Sequence, residues 1–133
     1  MSKFVLDSSA ILAVVNEEDG AESVRALLDE AAISAVNAAE VFSKLHEYSD
    51  EAVETTKKVL QFVEIVPFDV AQAERSGELR AMTKKAGLSL GDRACIALGM
   101  QLGLAIYTTD AVWGNLGLPC DIRLLREPRK SVQ

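Results

Sequence analysis

Histidine occurs once in the 133 residues, cysteine twice, proline three times and tryptophan once, and aromatic residues make up only 5% of the chain. The one histidine, His46, has no partner for histidine-pair ribonuclease chemistry, and His46-Glu47 lacks the second histidine of a zinc-protease motif. Cys95 lies in an apolar stretch and Cys120 in a predicted loop, so they offer neither a disulfide framework nor metal-ligand spacing. No apolar run approaches the roughly 18 residues needed to span a bilayer, and Met1-Ser2-Lys3-Phe4 does not open a signal peptide. A cytoplasmic protein without a membrane partner is the expectation, and any chemistry must rest on carboxylates.

What remains is 49% hydrophobic and 26% charged, the mixture of one compact domain over residues 1–133, with a flexible tail expected from about 128. The formal charge of -6 argues against a general nucleic-acid coat. That charge is unevenly placed. Met1 to Leu60 carries 12 acids against 5 bases, whereas Gln61 to Gln133 carries 8 acids against 9 bases, so the second half remains able to face a polyanion.

Phe4-Val5-Leu6 is a continuous apolar run, the pattern of a strand buried on both faces of a parallel sheet. The patterning then predicts helices over Ser9–Val15 and Gly20–Ala31, a short strand at Ala32–Ser34, and a helix from Asn37 with Ala38, Val41, Phe42 and Leu45 in one stripe. A helix over Asp50–Phe62, a strand at Ile65-Val66 and a long helix over Val70–Ala86 follow. Leu90–Leu102 is apolar almost all round and reads as an interior helix. Leu104–Tyr107 is a second clear strand, and Ile122–Leu125 an edge strand. This alternation implies a layered α/β domain with a mainly parallel sheet.

Four acids are then predicted at one edge of that sheet. Asp7 and Asp110 each follow a strand and precede a helix, Glu40 falls in the first turn of its helix, and Asp92 opens the interior helix. Each has a structural explanation when taken singly. Aspartate before a helix is an ordinary N-cap, Asn37-Ala38-Ala39-Glu40 resembles a capping box, and Glu40 can pair with Lys44 one turn on. Asp92 is the hardest to explain this way, because its apolar helix implies a partly buried carboxylate.

Two unit charges ~4 Å apart repel by about 4 kcal/mol at an effective dielectric near 20. Gathering several carboxylates therefore calls for protons or a cation. Hard oxygen donors suit Mg²⁺ or Mn²⁺ better than zinc, and such sites act on phosphate esters through an activated water.

At these residues the chain resembles the PIN-domain ribonucleases, especially the VapC-type toxins of toxin-antitoxin pairs. Val5-Leu6-Asp7-Ser8-Ser9-Ala10, Ser34-Ala35-Val36-Asn37-Ala38-Ala39-Glu40-Val41, Leu88-Ser89-Leu90-Gly91-Asp92-Arg93-Ala94-Cys95 and Tyr107-Thr108-Thr109-Asp110-Ala111-Val112-Trp113 carry the match, in order and spacing. The resemblance runs from Phe4 to about Leu125. It implies a PIN-like three-layer α/β sandwich with an about five-stranded, mainly parallel sheet, and a Mg²⁺- or Mn²⁺-dependent endoribonuclease. It further implies an RNA substrate, a homodimer and a small cognate antitoxin. By position, Asp7, Glu40, Asp92 and Asp110 inherit both the catalytic and the metal-binding role. Ala111 stands where many relatives have arginine, and Thr109 where many have alanine; neither change removes an acid.

Two other classes compete. A phosphatase or receiver domain needs a paired acid near the first strand, but Ser8, Ser9 and Ala10 follow Asp7. A non-catalytic PIN-like binding module would be marked by loss of an acid, and all four positions are acidic. Ser9 and Thr108 can orient water or phosphate by their hydroxyls or act as cap and strand-end residues. Trp113 is read as core or interface before base stacking, and Arg75, Arg80, Lys84 and Lys85 as a solvated helix face before a phosphate track. Gly87 to Gly91 lacks the lysine of a P-loop.

Overall fold

A computed structural model describes residues 1–125 and places five strands in one sheet: β1 (Phe4–Leu6), β2 (Ala31–Ser34), β3 (Glu64–Val66), β4 (Ala105–Thr108) and β5 (Ile122–Leu124). Their order is β3-β2-β1-β4-β5, and every pairing is parallel. Six helices alternate with them: α1 (Ser8–Val15), α2 (Ala21–Arg25), α3 (Ala35–His46), α4 (Asp50–Leu60), α5 (Val70–Thr83) and α6 (Leu90–Leu102). The expected tail from about 128 lies outside the described residues. No described helix is long and apolar enough to cross a membrane.

The two-residue period of β1 builds two cores. Leu6 faces one side with Ile33 of β2, against Ala10, Ile11 and Val14 of α1, Val24 of α2, and Val41 and Leu45 of α3. Val5 faces the other with Ile106 of β4, against Cys95–Leu98 of α6, Leu79 of α5 and the 1%-exposed Trp113. Trp113 is therefore core and not a base-stacking group. The apolar character of α6 follows from its place against the sheet, where Gly91 and Ala94–Gly99 are buried.

Several boundaries differ from the patterning. The helix expected over Gly20–Ala31 is the five-residue α2 followed by a 3-10 turn at Leu28–Glu30, and β2 already begins at Ala31. Pairing with Phe4 draws Ala31 into the sheet and cuts the helix short. The helix expected from Asn37 begins at Ala35, because the Ser34 hydroxyl at the end of β2 accepts from the Val36 N–H and caps it. Glu40 thus lies in the second turn, and Asn37-Ala38-Ala39-Glu40 does not form a capping box. The long helix reaches Thr83 and tightens to 3-10 over Lys84–Ala86.

The order of strand addition reverses between β1 and β4, all strands staying parallel: β2 and β3 extend one way from β1, and β4 and β5 the other. In open parallel sheets, the crevice beyond the carboxyl ends of the strands at such a point is where ligands bind. Asp7 directly follows β1, and Thr108 ends the neighbouring β4.

α6 comes close to the sheet here because Gly99 has no side chain, and a Cβ at Gly99 would overlap the Ile106 side chain. Gly99→Ala should gain about 1 kcal/mol of helix propensity but lose about 1–3 kcal/mol to overpacking against the central strand. A lower denaturant midpoint is expected, partly restored by adding Ile106→Val. A midpoint raised by Gly99→Ala alone would show that β4 yields easily.

Candidate active site

Asp7 is 3% exposed, and both of its oxygens are held. Oδ1 accepts from the Ser9 hydroxyl at 2.6 Å and the Ala10 N–H at 3.1 Å, so Asp7 is the N-cap of α1; Oδ2 accepts from the Thr108 hydroxyl at 2.7 Å. Each hydroxyl also receives a backbone N–H from the loop after β4: Ser9 Oγ from Thr109 at 3.2 Å, and Thr108 Oγ1 from Asp110 at 3.0 Å. Two successive peptide groups are thereby tied through two hydroxyls to the two oxygens of one carboxyl. Ser9 and Thr108, for which the sequence allows either an orienting or a purely structural role, clamp the Asp7 carboxyl. Their hydroxyls flanking the acids in sequence were the available signal.

Burial raises the Asp7 pKa from the ordinary 3.8 to about 6, against the lowering effect of the Ser9, Thr108 and Ala10 hydrogen bonds and with a further rise from the Asp92 charge. Asp110 is exposed and caps the 3-10 turn at Ala111–Asn115, its Oδ1 accepting from the Val112 N–H at 3.0 Å. That turn stands where a helix was expected.

Asp92 is half-buried and is not the unpaired acid that its apolar helix suggests. It forms the capping box of α6: Oδ2 accepts from the Ser89 N–H at 3.0 Å, while its own N–H donates to Ser89 Oγ at 3.1 Å. Glu40, also half-buried, does not pair with Lys44 in the ion pairs of the described residues. Its Oε1 accepts instead from Asn37 Nδ2 at 2.9 Å. The same Nδ2 donates to the Gly91 carbonyl at 3.0 Å, and a Cβ at Gly91 would overlap the Glu40 carboxylate. Glycine precedes Asp92 because Glu40 occupies the space.

Three of the four acids act electrostatically on one buried thiol. Burial above all, then the nearby charges of Asp7 and Asp92, Cys120 and finally Glu40, push the Cys95 thiol well above its usual range. Asp110 joins through its backbone N–H and Thr108. Both cysteines are free.

The donor set is hard oxygen, and Glu40, Asp92 and Asp110 each use one carboxylate oxygen internally and keep the other. Among the described residues, no three histidine, cysteine or acidic side chains are grouped closely enough to hold an ion by themselves. Oxygen donors of this kind are those Mg²⁺ takes, its remaining positions being filled by waters and substrate phosphates.

Residues 4–117 match the PIN domain family, and the chain belongs to that family. Solved structures share the fold. A chain of a toxin-antitoxin complex from Klebsiella pneumoniae aligns with a TM-score of 0.78 at 22% identity, over 95% of this chain and 100% of the other. VapC20 of Mycobacterium tuberculosis, described as a sarcin-ricin loop cleaving toxin, aligns at 0.72 and 16% identity over 87% and 96%. VapBC2 of Rickettsia felis, bound to a DNA fragment from its promoter, aligns at 0.71 and 18% over 91% and 97%. No curated protein sequence matches. The five-stranded parallel sheet flanked by helices is thus the PIN-like α/β fold.

The raised pKa of Asp7 has a consequence for stability. A carboxyl that binds its proton more tightly when folded favours the folded state while protonated. Its contribution is complete below about pH 4 and is lost as pH rises through about 6. In chelator, unfolding free energy should lose on the order of 3 kcal/mol from this group between those limits. Asp7→Asn should flatten that part of the profile and stabilise the metal-free protein near pH 7. Urea unfolding at a series of pH values measures it, and an unchanged profile in the variant would exclude Asp7 as the source.

Proposed function

We propose that this protein is a Mg²⁺- or Mn²⁺-dependent endoribonuclease, the toxin of a toxin-antitoxin pair. One observation carries the reading: a buried carboxyl at the switch point of a PIN fold is clamped to the loop bearing a second acid, with two more acids on α3 and α6 beside it. A scaffold that only needed helix caps has no use for a desolvated carboxyl whose ionisation a second acid, Asp92, opposes. The chemistry named for the Mycobacterium tuberculosis relative, and the complexes in which other relatives are seen, favour RNA as substrate and a small protein as inhibitor.

In this reading Asp7, Asp92, Asp110 and Glu40 hold the cation. When bound, the ion lowers the pKa of a water and offsets charge developing on the phosphoryl group. Asp7 would bind the ion as the carboxylate, with Ser9 and Thr108 keeping its oxygens aimed. Asp92 and Asp110 are fixed by their caps, so little reorganisation accompanies substrate entry.

The antitoxin would present a basic segment to the acidic edge, with an arginine pairing bidentately with a carboxylate in place of the cation. An amphipathic helix would anchor on the apolar residues left half-buried over the early helices, Leu12, Val15, Phe42 and Val59. A homodimer in the cytoplasm completes the proposal.

Purified protein should cleave RNA with Mg²⁺ or Mn²⁺, lose activity in chelator and regain it on adding metal. The products should carry 5′-phosphate and 3′-hydroxyl ends. Cyclic phosphate ends, or cleavage that survives chelation, would contradict the metal-water route. Asp92→Asn and Asp110→Asn should fold and lose on the order of 10²-fold or more in kcat. A folded wild-type protein without cleavage under any metal would leave the non-catalytic PIN module as the better reading.

A further inference from the structure

Asn37 is a polar side chain in the interior of α3, 1% exposed, and its use of hydrogen bonds is lopsided. Nδ2 serves two acceptors on two helices, Glu40 Oε1 and the Gly91 carbonyl, whereas Oδ1 is buried without a partner. An unmet buried acceptor is a cost that an apolar residue would avoid, so its presence calls for an explanation in what the donors do. The amide orientation is also chemically determined. Turned over, Oδ1 would face a carboxylate oxygen and a carbonyl oxygen with no hydrogen between them.

We propose that Asn37 is a positioning residue, whose amide latches the Glu40 carboxylate to the first turn of α6 and so sets the separation of Glu40 from Asp92. The latch has no slack. The Glu40 carboxylate occupies the space that a Cβ at Gly91 would need, and the next residue, Asp92, is held by the Ser89 capping box. α3 and α6 pack against each other along this seam. Lys44, the charged alternative one turn away, does not pair with Glu40, and among the described residues Asn37 makes the one side-chain hydrogen bond that Glu40 receives.

The consequence for turnover rests on the nuclease reading, but the latch itself does not. Without Asn37, Glu40 is free to rotate into solvent, and misplacement of a reacting group by ~1 Å can cost on the order of 10²-fold in rate. The donors fall from two in asparagine to one in serine and none in alanine, while aspartate keeps the shape, removes the donors and adds a charge facing Glu40.

Two measurements on the full chain decide this. In the metal-free, isotopically labelled protein, the Asn37 side-chain amide protons should exchange slowly with water, and their resonances should move in Glu40→Gln but not in Asp110→Asn. In RNA cleavage, kcat should fall in the order wild type, Asn37→Ser, Asn37→Ala, Asn37→Asp, by about tenfold to a hundredfold for alanine, with KM within about twofold. Melting temperatures should not follow that order. Gly91→Ala, which keeps the amide but displaces Glu40, should lower kcat likewise and serves if an Asn37 variant does not fold. Full kcat in folded Asn37→Ala and Asn37→Asp, or an Asn37 amide indifferent to Glu40→Gln, would overturn the latch. If the wild-type chain does not cleave RNA with either metal, the nuclease reading fails, and the amide resonances alone support or overturn the latch.

Discussion

A carboxyl group withdrawn from water at the end of β1 is the constraint on which the site depends. Asp7 sits where β1 and β4 lie side by side and the chain turns to opposite flanks of the sheet. At that depth ionisation is costly, and three hydrogen bonds from Ala10, Ser9 and Thr108 offset only part of the cost. The hydroxyls that supply two of them also receive the Thr109 and Asp110 N–H groups. One buried charge thus organises the first turn of α1 and the loop after β4 together. A neighbouring cation would offset the burial penalty.

The remaining acids have structural roles that leave room for the proposed chemical ones. Asp7 and Asp110 are N-caps, and Asp92 is half of a capping box. A carboxylate has two oxygens, and capping occupies one of those of Asp92 and Asp110. The cap holds the side chain in one rotamer, and the second oxygen is presented from a fixed position. Helix N-termini also bring partial positive charge to the edge where negative charge collects. Glu40 is the exception. Lying in the second turn of α3, it has no cap to hold it and relies on Asn37 and the space above Gly91.

Much of the site was legible because the motifs are local. A continuous apolar triplet ending in Asp7, and an apolar run opening at Asp92, carry their own secondary structure, and strand-helix alternation places both at the carboxyl edge. The local reading failed where a partner distant in sequence decided the outcome. The Asn37–Glu40 spacing is that of a capping box, yet Ser34 takes the cap because strand pairing brings β2 to its end there. The helix expected over Gly20–Ala31 lost its last residue to the sheet for the same kind of reason.

The sequence by itself determined the layered α/β architecture and the four acids that follow from it, because both rest on periodicity and on residue type at strand and helix ends. Tertiary structure alone decided how those acids are held. Thr108 meets Asp7 across 101 residues of chain, and Asn37 meets Gly91 across 54. A hydroxyl or an amide carries no sign of its partner in the surrounding sequence, since a hydrogen bond depends on distance and direction, and those exist only once two cores have packed against the two faces of β1.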